Sequence, residues 1–572
     1  MPFLSGSARP KPVGAERIGE VQPSEEVVFT VSVCPRPGTP DLPDLAHWQA
    51  ISLAERVFLS SEEYELRYGS SSEDVAAVAG FFEQQGMLIR NRHTGSGMVE
   101  VRATAAQVRS AFDVQLYYYR AQLPPATRQR LDPNSPDVET YHGYEGELSL
   151  PLSLQGKVMR VFGLDNRTFG APAGYSGDPP NSVRLAVADI AALYNFPVNI
   201  DAEDQTIGIF SGEGSDKNGK SLSNYDPSDV AAYFKNQKPG YRTTPTVVPV
   251  ALTVGSKHYS NDPTNPTLEL SQDIMTIATI AQGCTINVYF SDLTEQGWVT
   301  FLNRVLFPAE GEKRPNIVSI SWTMYDERTY GSSLSFLFQR LAVVGTTVFG
   351  ISGDWGANNN VTDGRAHVGW PGSDPWITCV GGTAVGNVMS TESGAVTFDE
   401  YAWNNRNNKL SQFTIDETLG VTGGGMSVVF PTPPYQIAAG ITAFVDSKSK
   451  VWKGGRFIPD IAGMVGLRGF IIGGRRHYFI GTSCSTPLYA GLFAALSSIL
   501  GKQFGLLNPT LYQLGDAVCR DITFGHNDSG DTPDCAYFSA GVGYDPVTGL
   551  GSIDGAKMLN AFKDLYERVL PN

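Results

Sequence analysis

The stretch GTTVFGISGD, residues 345–354, shows the pattern on which the predicted fold rests. A short apolar run ends there in glycine and aspartate. Such a run, bounded by turn residues, is typical of a strand buried on both faces of a sheet. Similar runs occur elsewhere in the C-terminal two thirds of the chain. They are TIGIFSGEG at 206–214, VVPVALTV at 247–254, TINVYF at 285–290, NIVSISW at 316–322 and WITCVGG at 376–382.

Helical segments separate several of these runs, for example SLSFLFQRLAVVG at residues 333–345. Buried strands that alternate with helices predict an α/β domain with a doubly wound parallel sheet, which we place at residues 183–572. In such sheets, functional groups collect beyond the carboxyl ends of the strands. We therefore expect the chemistry at the polar ends of NIVSISW and GTTVFGISGD.

The N-terminal part of the chain predicts a separate α+β domain at residues 25–167. It begins with the alternating strand pattern EEVVFTVSV. Ser71 is the expected N-cap of one helix, which stops at Gly86, and Thr104 caps another helix between two strands. This order of elements is typical of a ferredoxin-like sandwich.

Two segments flank this domain and predict no regular structure. Residues 1–24 are expected to form a disordered tail. Residues 168–182, TFGAPAGYSGDPPNS, are rich in Gly, Pro and Ser and predict a linker between the two domains.

Composition narrows the classes of partner. The 572 residues include 43 basic and 58 acidic side chains, a formal charge of −15, which argues against nucleic acids and anionic membranes as partners. The longest apolar stretches are the size of core elements, so no membrane span is expected. The start, MPFLSGSARPKPVGAERIGE, lacks the basic and apolar regions of a signal peptide.

The six cysteines include no Cys-x-x-Cys pair, which argues against a zinc or redox motif. Cys519 and Cys535 flank a polar loop and are either a disulfide or two free thiols.

A candidate nucleophile opens the stretch FIGTSCSTPLYAGLFAAL, residues 479–496. Ser483 follows Gly481-Thr482 and precedes an apolar run, as a nucleophilic serine does at the start of a buried helix. A serine hydroxyl needs a group that accepts its proton. The chain has seven histidines, and none lies in the His-Gly-Thr setting that accompanies this motif in subtilisin-like proteases. A carboxylate is therefore the expected base.

The helix predicted in TLELSQDIMTIATIAQG, residues 267–283, carries two such carboxylates. Glu269 and Asp273 are four residues apart and project from one face. An acidic pair at this spacing usually lies on a solvated face. This helix has almost no other charge, which favours burial, and buried carboxylates need a compensating partner.

A third acidic residue, Asp354, follows the strand quoted first. It is either an ordinary turn residue or a protonated carboxyl that donates a hydrogen bond to a developing oxyanion, a known use of a neutral aspartic acid.

Taken together, these motifs resemble those of the sedolisins, or serine-carboxyl peptidases, and in particular of kumamolisin-like proenzymes. The Glu-x-x-x-Asp pair, the aspartate after a Gly-rich strand end and Gly-Thr-Ser occur here in the family's order. NIVSISW and GGGMSVVFPTPPYQ look like the family's substrate-cleft segments, which implies substrate-binding roles for Ser321, Trp322, Gly424 and Gly425. The N-terminal domain, which ends in VFGLDNR, looks like the activation domain.

The resemblance implies a subtilisin-like catalytic fold and a mechanism. Ser483 would form an acyl-enzyme, with Glu269 as general base and then acid, and Asp273 would orient Glu269. A protonated Asp354 would stabilise the oxyanion. It also implies an acid-active endopeptidase that is made as a zymogen and inhibited by its own prodomain.

Three alternatives remain open at this point. The first is a tripeptidyl-peptidase of the same family, the second a non-catalytic binding protein on this fold, and the third a hydrolase that uses a histidine base. We expect a monomer that acts on peptides or proteins, outside the cell or in an acidic compartment.

The C-terminal region resembles the family's calcium site. Asp521 and Asp545 would supply carboxylate ligands to one Ca²⁺, and Ile522, Gly541 and Gly543 would supply carbonyls. Calcium prefers oxygen ligands of both kinds. The alternative is that both aspartates are ordinary turn residues.

Overall fold

A computed structural model of the protein describes residues 3–9, 14–122, 138–167, 171–172, 185–213, 224–238, 240–241, 243–252, 267–324, 327–328, 331–361, 363–390, 396–406, 420–530 and 535–568. The chain folds into two compact units, and neither is continuous in sequence. Unit 1 comprises Met1–Leu42, Leu59–Phe169 and Ser291–Glu312, and unit 2 comprises Pro43–Phe58, Gly170–Phe290 and Lys313–Asn572.

The helices are numbered in chain order. They are α1 (Leu45–Ala50), α2 (Ser61–Tyr68), α3 (Ser72–Gln84), α4 (Ala105–Phe112), α5 (Val187–Leu193), α6 (Pro227–Lys235), α7 (Leu268–Ile280), α8 (Glu295–Leu306), α9 (Gly331–Val343), α10 (Pro434–Ala438), α11 (Thr482–Leu500), α12 (Asn508–Leu514) and α13 (Gly555–Glu567). Short 3-10 turns lie at Leu53–Glu55, Leu152–Leu154, Gly356–Asn358 and Gly515–Ala517.

The strands are β1 (Ala15–Glu20), β2 (Glu26–Val33), β3 (Leu88–His93), β4 (Met98–Thr104), β5 (Tyr117–Gln122), β6 (Val138–Gly143), β7 (Val158–Phe162), β8 (Ala171–Pro172), β9 (Thr206–Glu213), β10 (Thr246–Ala251), β11 (Thr285–Asp292), β12 (Ile317–Ile320), β13 (Trp322–Thr323), β14 (Thr347–Ile351), β15 (Thr378–Ser390), β16 (Val396–Ala402), β17 (Gly425–Pro431), β18 (Ala443–Val445), β19 (Val451–Lys453), β20 (Gly455–Ile458), β21 (Ile461–Met464), β22 (Gly466–Ile472), β23 (Arg475–Ile480), β24 (Cys519–Arg520) and β25 (Ser552–Ile553).

The core of unit 1 lies between a four-stranded antiparallel sheet, in the order β3-β4-β2-β7, and the helices α3 and α4. Phe29 of β2 packs edge-to-face against Phe82 of α3 and Phe112 of α4, and both pairs of ring centroids are 5.5 Å apart. The predicted N-caps Ser71 and Thr104 are both present, each accepting a backbone N–H three residues on. The α+β class predicted for this part of the chain is confirmed.

The start of the chain is more ordered than its composition predicts. Strand β1 pairs with β5 in a second sheet of order β1-β5-β6. Leu4 and Val21 are buried in the core of unit 1. The disordered tail predicted for residues 1–24 is therefore wrong for 3–9 and 14–24. The reason is that backbone pairing with a strand some hundred residues away orders a polar segment that has no periodic pattern of its own.

Helix α8 belongs to unit 1, although it follows β11 of the C-terminal part. Its apolar side buries Trp298, Phe301 and Leu302. On the other side of β2 from Phe29, Thr30 Oγ1 accepts a hydrogen bond from Gln296 Nε2 at 2.7 Å. Neighbouring residues of a strand point to opposite faces, so α8 covers the face of this sheet that α3 and α4 leave open.

Conversely, residues 43–58 belong to unit 2. Leu53 is part of its main core cluster. The buried Arg56 donates from Nη1 to the carbonyls of Phe504, at 2.8 Å, and Leu506, at 2.5 Å. One boundary between the units, Phe169/Gly170, lies close to the predicted one at residue 167, but residues 43–58 and 291–312 belong to the opposite unit. Packing partners distant in sequence, and not local composition, decide which segments share a core.

Unit 2 is built on a mainly parallel sheet in the order β10-β11-β9-β12-β14-β15-β16, with β21 also paired to β15. The pairs β10–β11, β9–β12, β12–β14 and β14–β15 are parallel, and only β16 joins β15 in antiparallel fashion among the pairs of this sheet with a described register. All six strands predicted from the apolar runs are present. The doubly wound parallel-sheet fold is confirmed.

Two long helices, α7 and α11, pack against each other in the main core of unit 2. Gly491 of α11 permits their close approach, because a Cβ there would lie 3.0 Å from the carbonyl oxygen of Ile277 in α7. Within the described residues, α11 is long and apolar enough to cross a bilayer, yet 83% of its apolar window is buried inside the protein. Its hydrophobicity therefore fits a core helix.

The suggested disulfide between Cys519 and Cys535 is not formed, and all six cysteines are free thiols. Cys519 lies in β24, paired with Ile553, while the Cys535 sulfur lies 3.5 Å from the carbonyl oxygen of Arg365. The two side chains thus face different parts of the structure.

Candidate active site

The proposed nucleophile lies in the first turn of α11, immediately after the end of β23. Ser483 is fully buried. Its hydroxyl points towards the carbonyl oxygen of Ser321, at a long 3.5 Å. Ser321 directly follows β12, at the carboxyl end of the central sheet, where functional groups are expected in this fold.

The two carboxylates of α7 lie in the core and not on a solvated face. Glu269 is 8% exposed and Asp273 is 1% exposed. Asp273 Oδ1 accepts hydrogen bonds from Ser321 Oγ at 3.0 Å and from Gln272 Nε2 at 2.5 Å. Burial raises the pKa of Asp273 well above its usual value, and these two hydrogen bonds oppose the shift. The alternative of an acidic surface helix is therefore wrong.

A direct hydrogen bond connects the helix of the carboxylates to the turn of the nucleophile. Gln272 Nε2 also donates to the backbone carbonyl oxygen of Ser483, at 2.8 Å. Gln272 was not among the site residues predicted from the sequence. The available signal was an amide side chain between the two carboxylates of a helix that the sequence predicts to be buried.

Asp354 is joined to the residue before the nucleophile. Its carboxyl is completely buried, and Oδ1 accepts from the backbone N–H of Thr482 at 2.9 Å and from Thr482 Oγ1 at 2.7 Å. The structure thus places this third acid at the N-terminal end of α11.

The pKa of the Cys484 thiol is affected by all three acidic residues. Burial raises its pKa well above the usual value, and the charges of Glu269, Asp354 and Asp273 raise it further. All three carboxyl groups are therefore near the residue that follows the nucleophile. This environment opposes a thiolate, so Cys484 is unsuited to act as a nucleophile itself.

This arrangement contains the parts that acyl transfer needs. It brings together a hydroxyl, carboxylates that can accept and return its proton, and a buried carboxyl that can hydrogen-bond an oxyanion. The four residues predicted from the sequence, Glu269, Asp273, Asp354 and Ser483, lie in one buried site.

The segments expected to bind substrate lie beside this site. Trp322 belongs to β13, which pairs antiparallel with β8, so Trp322 is opposite Pro172. An extended chain segment thus occupies this strand edge. Only Ala171–Pro172 of the predicted linker 168–182 lies within the described residues.

Gly424 and Gly425 precede and begin β17. A Cβ on Gly424 would lie 2.2 Å from the carbonyl oxygen of Pro546, so only glycine fits there. Gly425 has φ +148°, which also favours glycine. The buried carboxylate of Glu327 accepts hydrogen bonds from Ser427 Oγ at 2.6 Å and Val428 N at 2.5 Å. It thereby connects the chain after β13 to β17.

The five residues expected at a calcium site also lie together. The N–H of Gly543 donates to Asp521 Oδ2 at 2.8 Å, and the N–H of Gly541 donates to Asp545 Oδ2 at 3.0 Å. The hydroxyl of Thr548 contacts both oxygens of Asp545 at 3.2 Å and lies 3.4 Å from the carbonyl oxygen of Ile522. Two segments that are separate in sequence, 521–522 and 541–548, therefore bring two carboxylates and a carbonyl together.

The chemistry of this donor set fits a hard cation. Its potential ligands are all oxygens, as Ca²⁺ prefers. Burial raises the pKa of Asp545 to about 7, so a bound cation would offset the cost of ionising it. Within the described part of the chain, no cluster of three or more His, Cys, Asp and Glu side chains suits a metal. A cation here would therefore take its remaining ligands from carbonyls and water.

Comparisons with known proteins agree with the motifs and the geometry. The family profile "Pro-kumamolisin, activation domain" matches residues 13–167. Tripeptidyl-peptidase sed5 of Aspergillus fumigatus is 65% identical over 98% of this chain and 97% of its own length. Kumamolisin of a Bacillus species is 29% identical over 98% of this chain and 95% of its own length.

A solved structure shares the fold. A Pseudomonas sedolisin, a serine-carboxyl proteinase in complex with pseudo-iodotyrostatin, has a TM-score of 0.52 and 23% identity and covers 68% of this chain and all of its own. With the relatives above, these findings show that the chain belongs to the sedolisin family of serine-carboxyl peptidases and is a kumamolisin-like proenzyme with an N-terminal activation domain.

Proposed function

We propose that this peptidase removes tripeptides from the free N-termini of peptides in acid. The buried Glu269–Asp273–Ser483 group with Asp354 is the observation that carries the peptidase chemistry. The tripeptidyl mode is supported by the name of the relative that is 65% identical over 98% of the chain. This mode was an alternative in the sequence analysis, where an endopeptidase was expected.

The endopeptidase remains a second candidate because of one specific contact. Ala171–Pro172, an internal segment of the chain, pairs with the strand edge at Trp322–Thr323. An edge that accepts the middle of a chain suits cleavage at internal bonds as well as at termini.

The proposed reaction proceeds in two halves. In the first, Glu269 accepts the proton of Ser483 Oγ as the oxygen attacks the peptide carbonyl carbon. The oxyanion accepts a hydrogen bond from protonated Asp354. The C–N bond then breaks as Glu269 transfers its proton to the leaving amine, which leaves an ester on Ser483. In the second half, water gives a proton to Glu269 and hydrolyses the ester, and Ser483 regains its proton.

Acid is required for two reasons in this scheme. Asp354 can donate a hydrogen bond only when protonated, and a carboxylate base works near its own pKa. Asp273, adjacent to the base in this scheme, orients Glu269 and titrates together with it. We therefore propose an acidic pH optimum and a site of action outside the cell or in an acidic compartment. For the mature enzyme we propose a monomeric state.

We propose that the activation domain inhibits the enzyme until acid maturation. The pairing of Ala171–Pro172 with Trp322–Thr323 supports this, because a chain segment on that edge competes with substrate for it. We also propose one Ca²⁺ bound by Asp521 and Asp545 with the carbonyls of Ile522, Gly541 and Gly543. The ion would add stability and no chemistry.

The decisive experiment compares two peptides of the same sequence, one with a free and one with an acetylated N-terminus. Products are identified by mass spectrometry between pH 3 and 7. We expect tripeptide release from the free peptide only, in acid. Ser483→Ala and Glu269→Gln should each lower turnover by roughly three to six orders of magnitude.

Equal cleavage of the acetylated peptide at internal bonds would favour the endopeptidase over the tripeptidyl mode. An optimum above neutral pH, or normal turnover by Glu269→Gln, would contradict the carboxylate base and favour a histidine.

A further inference from the structure

Gln272 is a fully buried amide at the centre of the acid group. It is 0% exposed and lies in α7 between Glu269 and Asp273. An amide nitrogen has two hydrogens to donate. Gln272 Nε2 donates both, one to Asp273 Oδ1 at 2.5 Å and one to the carbonyl oxygen of Ser483 at 2.8 Å.

Packing alone does not explain this side chain. Burying an amide in an apolar environment costs free energy that its hydrogen bonds do little more than offset. Leu270, Ile274 and Ile277 are buried in the same helix, and an apolar side chain of equal length would fill the space of Gln272. The two hydrogen bonds are what an apolar side chain could not supply.

We propose that Gln272 is a positioning residue that holds the Asp273 carboxylate and the nucleophile turn of α11 in a fixed relation. The proposal rests on the proposed function, because it takes Ser483 as the nucleophile. The carbonyl of Ser483 belongs to the residue whose hydroxyl must approach the base. A fixed carbonyl therefore fixes the starting position of Oγ, and a shift of about 1 Å in such a position costs on the order of a hundredfold in rate.

Ser321 also supports the Asp273 carboxylate, so only the contact with Ser483 is specific to Gln272. Ser321 Oγ donates to the same Asp273 oxygen at 3.0 Å, so Asp273 keeps one neutral donor if Gln272 is lost. Gln272 supplies the hydrogen bond from α7 to the Ser483 carbonyl. Loss of Gln272 should therefore displace Ser483 more than it weakens the support of the Asp273 carboxylate.

The two donors also affect ionisation. Both favour the charged form of Asp273, against burial. The other titratable groups around this position are Glu269 on α7, Asp354 beyond β14 and the Cys484 thiol on α11. Removing the Gln272 donor should raise the pKa of the Glu269–Asp273 pair. On a plot of kcat against pH, the fall in kcat on the acidic side should then occur at higher pH.

The test uses Gln272→Met, which keeps length and helix preference but removes both donors. Gln436→Met is the matched control. Gln436 is also fully buried and donates twice, to the carbonyl oxygen of Phe457 at 2.7 Å and to Tyr512 Oη at 2.9 Å, and its contacts include none of the four catalytic residues. Full-length proteins are matured in acid, and kcat, KM and the pH profile are measured per mole of mature enzyme.

We expect Gln272→Met to lower kcat by roughly 10- to 100-fold with KM within about twofold of wild type, and to move the fall in kcat on the acidic side to higher pH. Gln436→Met should lose thermal stability but keep kcat and the profile. Gln272→Glu replaces the Met variant if the latter does not fold. In acid its carboxyl offers one hydrogen to donate where the amide offers two, so kcat should fall by a smaller factor.

Wild-type kcat and pH profile in folded Gln272→Met, or an equal effect in Gln436→Met, would overturn the positioning role. So would a change in KM alone. These outcomes are separate from a failure of the proposed function, which would appear as a wild-type enzyme without peptidase activity or as an active Ser483→Ala.

Discussion

Thr482 and Asp354 are joined by two hydrogen bonds to a single oxygen. Both the backbone N–H and Oγ1 of Thr482 donate to Asp354 Oδ1, at 2.9 and 2.7 Å. The other carboxyl oxygen, Oδ2, accepts no hydrogen bond from Thr482. The pair therefore leaves Asp354 with one oxygen held at the start of α11 and one able to carry a proton.

This relationship predicts different results for two substitutions of Asp354. Asp354→Ala removes the proposed oxyanion donor and should lower kcat by roughly 100- to 1000-fold. Asp354→Asn should retain more activity, because an amide can accept from Thr482 and still donate to the oxyanion. The measurement is kcat across pH 3 to 7. Equal loss in both variants would contradict the donor role.

A second prediction concerns Asp374, which is fully buried, accepts the N–H of Trp376 at 3.1 Å and has its pKa raised by burial to about 7. Its folded pKa lies above the unfolded value of about 3.9, so the folded state binds more protons between these values. The contribution of Asp374 to the free energy of unfolding is therefore fully present below about pH 4. It declines as pH rises to about 7, by on the order of 4 kcal/mol.

Thermal melts of the mature enzyme from pH 3 to 8 measure this effect. Asp374→Asn mimics the protonated form and should flatten the decline, while Asp564→Asn, at an exposed aspartate of α13, should not. A wild-type Tm that is unchanged or rises between pH 4 and 7, with no difference in Asp374→Asn, would show that this carboxyl does not set the pH dependence.

A third prediction concerns calcium. If the ion binds the folded state, a chelator should lower the Tm, since ligand at a hundredfold excess over its Kd stabilises by about 2.7 kcal/mol. Asp545→Ala should lower the Tm by at least as much as the chelator, because it also removes the acceptor of the Gly541, Val547 and Thr548 N–H groups, and kcat should not change. Because burial raises the pKa of Asp545 to about 7, protonation competes with the ion and affinity should fall as pH drops below 7. An unchanged Tm with chelator at pH 7, and no calcium by elemental analysis, would argue for turn residues only.

A fourth prediction concerns maturation. Incubation of the full-length chain at about pH 4, near the usual carboxyl pKa values, should produce a fragment that begins within residues 168–190. Exposed linkers are preferred cleavage sites, and the Gly/Pro-rich composition of 168–182 is that of a linker. Intact mass analysis follows the cut. Ser483→Ala should remain intact and inactive, and full activity of the uncut wild-type chain would contradict latency.

The sequence by itself determined the fold class and the composition of the site. Buried parallel strands leave continuous apolar runs, as in GTTVFGISGD, and helix caps such as Ser71 and Thr104 need only residues three apart. The proposed catalytic residues were also recognisable, because the Glu269–Asp273 spacing and the setting of Ser483 are short local patterns.

The tertiary structure alone decided the features that depend on partners distant in sequence. Strand β1 is ordered by β5, α8 is buried in unit 1, and Arg56 is held by carbonyls more than four hundred residues away. Gln272 belongs to the same class. Its neighbour Asp273 is adjacent in sequence, but the carbonyl of Ser483, 211 residues on, meets it only when α7 and α11 pack together.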